Sequence, residues 1–128
     1  MDDTMKYNVT WEKKGVYVDY YGEIENKDIE CAHFELNNDG RFYDCDYLVL
    51  DISKCDLSKV SVPNLTLVIG TDLGAAATNQ SLKVAMIATN PIGIDKASSY
   101  IEKNKSIGTP WEFKLLSSRD EAREWFNA

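Results

Sequence analysis

The sequence of 128 residues is poor in the residues and runs that mark special protein classes. It has three cysteines, three prolines and one histidine. No stretch approaches the ~18 consecutive apolar residues that a membrane-spanning helix needs. Its hydrophobic (44%) and charged (27%) fractions are those of globular domains. The composition excludes disordered, collagenous and disulfide-scaffold proteins, and it predicts a single domain over residues 1–128, because a chain of this size buries one core.

Cysteine usage and the N-terminus predict a cytoplasmic protein. The three cysteines, Cys31, Cys45 and Cys55, include no C-x-x-C pair, as expected of reduced thiols. The chain begins with Asp2 and Asp3 and runs into a polar strand, whereas a signal peptide has a basic start and an apolar stretch.

Basic residues are also scarce, since 14 Lys and Arg face 21 Asp and Glu and give a net charge of −7. Such a field repels nucleic acid and anionic lipid headgroups. Residues 1–56 carry 14 acidic and 6 basic residues, whereas residues 57–128 carry 7 and 8. The acidity of the N-terminal part indicates either a solvated face, which is the commoner case, or a docking surface for a basic partner.

The hydrophobic pattern predicts five strands. Two alternating aromatic and β-branched segments, 7–11 and 16–21, flank a turn and predict a hairpin. Continuous apolar runs at 47–52 and 82–89 predict two buried strands, and residues 112–116 form a short fifth strand. The hairpin supplies an antiparallel pair, so the sheet is expected to be mixed.

Four amphipathic helices are predicted, with Asn26, Ser61 and Ser118 as N-caps of the first, second and fourth. The third is expected to follow Asn90-Pro91 and to end by Gly108, and Gly40 is expected to end the first helix or the loop after it. Glu121 is expected to complete a capping box. The inward-facing residues are Ile29, Ala32, His33 and Leu36; Val62, Leu65, Ile69, Leu73 and Ala76; Ile94, Ala97 and Ile101; and Ala122, Trp125 and Phe126. The predicted fold class is α/β, in the order β-β-α-β-α-β-α-β-α, with about four helices covering the sheet.

Three short segments carry a family resemblance. They are Tyr21-Gly22-Glu23-Ile24, Leu48-Val49-Leu50-Asp51-Ile52-Ser53, and the closing strand and helix at 113–126. Together they resemble the STAS and SpoIIAA-like family, especially its small stand-alone STAS/SEC14-like members. The resemblance covers nearly the whole chain and implies a SpoIIAA-like (STAS/CRAL-TRIO-like) fold. It also implies a non-enzymatic regulatory or protein-interaction module, although the motifs are mainly structural.

The same resemblance implies a phosphoacceptor serine at the start of the second helix. Bacterial anti-sigma-factor antagonists have a D-S-S-G-L-type segment there, with the first serine phosphorylated. Alignment without gaps places Lys59 at the Asp, Val60 at the phosphorylated serine and Ser61 at the second serine, so the motif is degraded. Ser61 and Ser58 remain candidate phosphoacceptors, because a helix N-terminus stabilises a phosphate. A plain N-cap serine is the commoner explanation for Ser61.

No residue pattern indicates a catalyst or a metal site. Any Ser-His-Asp or Cys-His catalyst must use His33, and no G-x-S-x-G turn is present. His33 is instead predicted to be a packed, hydrogen-bonded histidine. Cys31 and His33 cannot easily chelate one zinc ion, because residues two apart on a helix point about 200° apart. The acidic segment 35–46 has oxygen ligands like those of an EF-hand, but a buried strand follows it, so a turn is favoured.

The functional surface is expected at the carboxyl ends of the strands, where open α/β sheets place ligands. It comprises the turn from Asp56 to Ser61, with Lys59, and the loop from Asn90 to Ile94, with Ile92. The partner is expected to be a protein, homodimerisation is left open, and no cofactor is predicted.

The alternative function is a carrier or sensor of a small apolar ligand or lipid held between helix and sheet, as the SEC14-like resemblance implies. Small residues at Gly70, Gly74 and 75–77 are expected to allow a close approach to the second helix. An unfilled apolar cavity between the second and third helices would favour this carrier, whereas an exposed apolar patch would favour a protein partner.

Overall fold

A computed structural model describes residues 6–127, with the backbone alone for residues 62–67. The strands are β1 (Tyr7–Trp11), β2 (Gly15–Glu23), β3 (Tyr47–Asp56), β4 (Lys83–Ile87) and β5 (Glu112–Leu116). The helices are α1 (Asn26–Asn37), α2 (Val62–Ala76), α3 (Pro91–Ile107) and α4 (Arg119–Phe126), with a short 3-10 helix at Gly40–Asp44. None of the helices formed by residues 6–127 combines the length and hydropathy needed to cross a bilayer.

The five strands form one sheet in the order β1-β2-β3-β4-β5. β1 and β2 are antiparallel, and every later pair is parallel, which confirms the predicted mixed sheet. At the start of β2, Gly15 lies opposite Tyr47, and a Cβ at this glycine would overlap the Tyr47 ring. Glycine is therefore required where the hairpin enters the sheet.

The two faces of the sheet are covered unequally. Alternate residues such as Val18, Leu50 and Val84 pack into the main core with α1, α2 and α3. The opposite residues, including Val49 and Ala85, form a smaller cluster against α4. This alternation is the period-two pattern of a strand with apolar residues on both faces.

β3 extends four residues beyond the predicted end at Ile52. The apolar run stops there, but β2 continues alongside and pairs Glu23 with Asp56. The register shifts by one residue between Asp51 and Lys54, which marks a bulge. Asp51 stabilises it by accepting hydrogen bonds from the backbone N–H of Ser53 (3.0 Å) and from its hydroxyl (2.6 Å). The Asp51-Ile52-Ser53 segment of the family resemblance therefore has a structural role, because its hydrogen bonds stabilise the bulge in β3.

The predicted N-cap of α1 was wrong, whereas Gly40 ends the loop after the helix, one of the two predicted alternatives. Glu25, not Asn26, is the N-cap, and its backbone N–H donates to Asp28 Oδ2 at 2.8 Å. Asn26 instead accepts a hydrogen bond from the backbone N–H of Ser61 at 3.1 Å, a contact between distant segments that local pattern does not reveal. The helix ends at Asn37, and Gly40 begins the 3-10 helix.

The other predicted N-caps, Ser61 and Ser118, are in place, and Asn90 is the N-cap of α3. The Asn90 side chain accepts from Gly93 N–H at 2.8 Å, whereas the Ser61 hydroxyl does not cap α2. Glu121 bonds to Ser117, one residue before the N-cap, rather than closing the predicted box on Ser118.

The predicted inward stripes hold for most positions. Ile94 is an exception, since it is exposed while Gly93, Ala97 and Ile101 are buried. The sequence pattern assigned Ile94 to the inward side near the start of the helix, but Gly93 occupies that side in the structure. The side chains of Val62 and Leu65 lie outside the described residues.

Candidate functional site

The loop between β3 and α2 is held in one shape by short hydrogen bonds. Asp56 accepts a bond from the backbone N–H of Ser58 at 2.9 Å, and this bond lowers the pKa of the Asp56 carboxyl. Lys59 donates to Glu23 Oε1 at 2.5 Å and links the loop to the end of β2. Asp56, Ser58 and Lys59 are all exposed, so the turn predicted as a functional surface is open to a partner.

One lysine joins this loop to the start of α3. Lys96 donates to the backbone carbonyl of the buried Val60 at 2.6 Å. Ile92 is four residues before Lys96 and therefore lies on the same side of α3, the side that faces the loop. Its side chain is 46% exposed. Ile92 and Lys96 thus share one side of α3, and the Lys96 hydrogen bond links that side to the β3–α2 loop.

Ile94 lies on another flank of α3. It is 40% exposed, but residues two apart on a helix point about 200° apart. Ile92 and Ile94 therefore do not form one continuous patch. Asn90, the N-cap, lies between the strand end and these two isoleucines.

A cavity of about 40 Å³ lies beneath the loop. Among the described side chains, those of the sheet, α1 and α3 bound it, with Leu57 and Val60 as part of its wall. The lining residues are Tyr20, Ile29, His33, Leu50, Ile52, Leu57, Val60, Met86, Lys96, Ala97 and Tyr100. A volume of this size has room for a few water molecules at most, given that one water needs about 10–15 Å³.

A buried polar network borders this cavity. His33 Nδ1 and Asp72 Oδ1 are 2.9 Å apart, and Tyr100 donates to Asp72 Oδ2 at 2.5 Å. All three side chains are buried, with 4%, 1% and 4% exposed. Burial and the Asp72 charge raise the pKa of Tyr100 well above its ordinary value. The prediction of a packed, hydrogen-bonded His33 is confirmed.

Each member of the network comes from a different helix. His33 lies on α1, Asp72 on α2 and Tyr100 on α3. A buried carboxylate is tolerated only where hydrogen bonds or an opposite charge compensate its lost hydration. Asp72 is therefore the point at which the three helices on the main face of the sheet are tied together.

The sequence reasoning missed Asp72, Tyr100 and Lys96. A signal for Asp72 was present, because it falls on the inward stripe of α2 between Ile69 and Ala76. An acid on one buried stripe and the only histidine on another predict a pair, since a charge inside a core needs a partner. The bond from Lys96 to a backbone carbonyl has no comparable signal in the sequence.

Among the described residues, no three His, Cys, Asp or Glu side chains are grouped so as to hold a metal ion. The thiols of Cys45 and Cys55 are buried, and burial is the main cause that raises their pKa values to about 11 and about 12.

No protein-family model and no curated protein matches the chain. Its backbone is similar to that of the anti-sigma factor antagonist SpoIIAA in its unphosphorylated form, with a TM-score of 0.63 and 9% identity over 94% of this chain and 96% of that one. It is also similar to an uncharacterised DUF3478-family protein with a SpoIIAA-like fold from Shewanella loihica PV-4, with a TM-score of 0.54 and 16% identity over 94% and 91% of the two chains. Similarity at this identity is a likeness of fold. The chain therefore has a SpoIIAA-like fold, built as a mixed five-stranded sheet with four helices.

Proposed function

We propose that this protein is a non-enzymatic regulatory module that acts by binding a partner protein through the β3–α2 loop and the adjoining side of α3. The observation that carries the proposal is the exposed Ile92 beside a loop held in place by Lys96 and Asp56. A single exposed apolar residue is common on protein surfaces, so the support comes from its place near the carboxyl ends of the parallel strands, where open α/β sheets bind ligands. The structurally similar SpoIIAA is an anti-sigma factor antagonist, which supports the same general role.

Phosphorylation at Ser58 or Ser61 is part of this proposal. Val60, at the position of the family's phosphorylated serine, is buried and has no hydroxyl. Ser58 is exposed in the loop, and Ser61 stands at the N-cap of α2 without using its hydroxyl to cap the helix. A phosphate on either serine would place a negative charge beside the start of α2 and change how the loop meets a partner.

The partner-binding test compares two isoleucines on the same helix. Ile92→Asp places a charge beside the loop, whereas Ile107→Asp changes an isoleucine that is 43% exposed at the other end of α3. Each variant is used as bait in quantitative affinity capture from the native host. We expect a partner captured by the wild type to be lost with Ile92→Asp and Lys59→Glu and retained with Ile107→Asp. Equal capture by both isoleucine variants would refute the proposed surface.

The phosphorylation test is intact-mass and peptide mass spectrometry of protein purified from the same host. The expected result is one added phosphate on Ser58 or Ser61 that disappears in the matching Ser→Ala variant. A phosphate at another site, or none under any growth condition, would remove the regulatory part of the proposal and leave the binding surface to be judged by capture alone.

The carrier function has less support. Binding sites for drug-sized ligands have volumes of roughly 300–1,000 Å³, whereas the cavity beneath the loop measures about 40 Å³. A Cβ at Gly70 or Gly74 would meet no described atom within 4 Å, so these glycines do not serve a close approach. We therefore do not propose a lipid carrier. Homodimerisation and a cytoplasmic location stay predictions.

A further inference from the structure

The outer face of α1 presents the most exposed large apolar side chain among the described residues. Phe34 is 67% exposed, while its neighbours Ala32, His33 and Leu36 point into the core. Since the helix already buries a complete inward stripe, packing of the fold does not account for a phenylalanine on its outer side. Phe34 is also about 12 Å along the helix from Asn26, which contacts Ser61 at the proposed loop surface.

Phe34 separates two grooves. The larger one is an open, shallow depression between α1 and the 38–40 segment and is lined by Tyr7 and Cys31. The other, of about 220 Å³, lies between α1 and α2 and is lined by Val68 and Thr71. Apolar side chains of a bound segment can therefore pack on both sides of the phenylalanine ring. This arrangement is that of a groove that takes an amphipathic peptide.

The rim of these grooves is acidic. Glu30 lines both of them, and Glu35 lines the larger one. Glu35 accepts a hydrogen bond from the neutral Tyr7 hydroxyl at 3.1 Å, and this partner brings no opposite charge. Asp39, by contrast, is paired with Arg41 at 2.7 Å. Within the described part of the chain, no ion pair involves Glu30 or Glu35.

We propose that the outer face of α1 docks a basic, amphipathic segment of a partner protein, with its apolar side chains packed around Phe34 and its Lys or Arg side chains facing Glu30 and Glu35. Charge complementarity selects this occupant. A second copy of the chain, docked symmetrically, would bring the same two carboxylates of each copy together. Anionic membranes and nucleic acid are repelled by the same charges. This α1 surface is separate from the β3–α2 loop surface and does not depend on it.

The test is a selection of random peptides displayed on phage against the full-length protein, with counter-selection on Phe34→Ser. We expect the surviving peptides to be enriched in Lys or Arg together with aromatic or aliphatic residues. Their binding is then mapped by amide NMR shifts, which we expect to be confined to residues 30–39 and the facing part of α2. Neutral or acidic survivors, or none beyond those that bind Phe34→Ser equally, would overturn the proposal.

Affinities of one selected peptide separate the apolar and the charged contributions. Phe34→Ser should weaken binding at least about tenfold, whereas Ile107→Ser, which removes a similarly exposed apolar side chain elsewhere, should leave it unchanged. Glu30→Gln with Glu35→Gln should weaken it about fivefold at physiological salt and much less at high salt. The double variant Glu102→Gln and Glu124→Gln controls for net charge. If it weakens binding as much as the double variant at Glu30 and Glu35, the charged contribution is nonspecific electrostatic attraction and the proposed role of the two α1 carboxylates is wrong.

A second readout uses the native thiols. Cys31 lines the larger groove, whereas Cys45 and Cys55 are buried. A bound peptide should therefore slow the modification of Cys31 by a thiol reagent, and an unchanged rate would contradict docking in this groove. Ile92→Asp should not alter the protection, so failure of the loop surface and failure of the α1 surface are distinguishable.

Discussion

Loss of the Tyr100 hydroxyl tests whether Asp72 is a buried, charged junction of three helices. Tyr100→Phe keeps the ring and its edge-on contact with Phe113, whose centroid is 5.8 Å away. It removes the hydrogen bond to Asp72 Oδ2, which measures 2.5 Å. A hydrogen bond to a charged group contributes about 1.5–3 kcal/mol, and a buried oxygen left without its donor keeps the full desolvation penalty. We therefore expect Tyr100→Phe to lower the free energy of unfolding by about 2 kcal/mol.

A double-mutant cycle isolates the pairwise contribution. Asp72→Ala leaves both His33 and Tyr100 without their acceptor and should cost about 3–5 kcal/mol, the range for breaking a buried pair. In the Asp72→Ala background, Tyr100→Phe should then cost less than about 0.5 kcal/mol, because the acceptor is already gone.

The assay is urea unfolding followed by fluorescence and circular dichroism, with equal m-values required across the cycle. Tyr43→Phe serves as a comparison, since the Tyr43 hydroxyl donates to the neutral backbone carbonyl of Asn37 at 2.6 Å. It should cost about 1 kcal/mol. Equal effects of Tyr100→Phe with and without Asp72, or an effect no larger than that of Tyr43→Phe, would show that Asp72 is not a charged junction of the three helices.

Three further predictions concern the hydrogen bonds of Asp51 in β3, the thiols and the tyrosines. Asp51→Ala should lower the free energy of unfolding by about 2 kcal/mol in urea titrations, because Ser53 and Arg119 lose a nearly buried acceptor. With a thiol reagent at neutral pH, Cys31 should react first and Cys45 and Cys55 only on opening of the fold, and three equal rates would contradict their burial. Stability should fall as the pH rises from about 10 through 12, since the folded chain keeps protons that unfolded tyrosines, with pKa near 10, release. Ultraviolet titration should show that some of the seven tyrosines ionise only well above pH 10. Ionisation of all seven near pH 10, the ordinary tyrosine pKa, would contradict this prediction. The pKa is raised to about 12 in Tyr7 and Tyr47 and higher in Tyr20 and Tyr100, with burial as the largest cause in each.

The order and type of the elements follow from local pattern, because period-two and helical repeats report which side chains face a core. β5 and α4 have the predicted bounds for this reason. Where the predicted caps and strand ends were wrong, contacts with a segment distant in the sequence determine the local structure. Asn26 is turned from a cap into an acceptor for Ser61, thirty-five residues along the chain. β3 continues to Asp56 because β2 offers it a pairing edge.

The candidate site divides in the same way. The β3–α2 loop was predicted from the rule that ligands bind at the carboxyl ends of parallel strands. The same rule predicted the loop from Asn90 to Ile94 beside it. The hydrogen bond from Lys96 to the Val60 carbonyl was not predicted, because nothing in the sequence indicates a bond from a side chain of α3 to the backbone of this loop. His33 was predicted to be packed, but its acceptor Asp72 lies thirty-nine residues further on, and identifying it needs the relative rotation of α1 and α2.

The strand order has a consequence for synthesis of the chain. Each strand is hydrogen-bonded to the one made just before it, so a sheet can grow strand by strand as the polypeptide leaves the ribosome, without waiting for a distant partner. α4 is the exception. Arg119 and Arg123, which lie on α4, form ion pairs with Asp19 and Glu12 in the β1–β2 hairpin. This helix thus binds the hairpin only after all five strands have been made, and a nascent chain stalled before residue 119 would hold the sheet with its second face still uncovered.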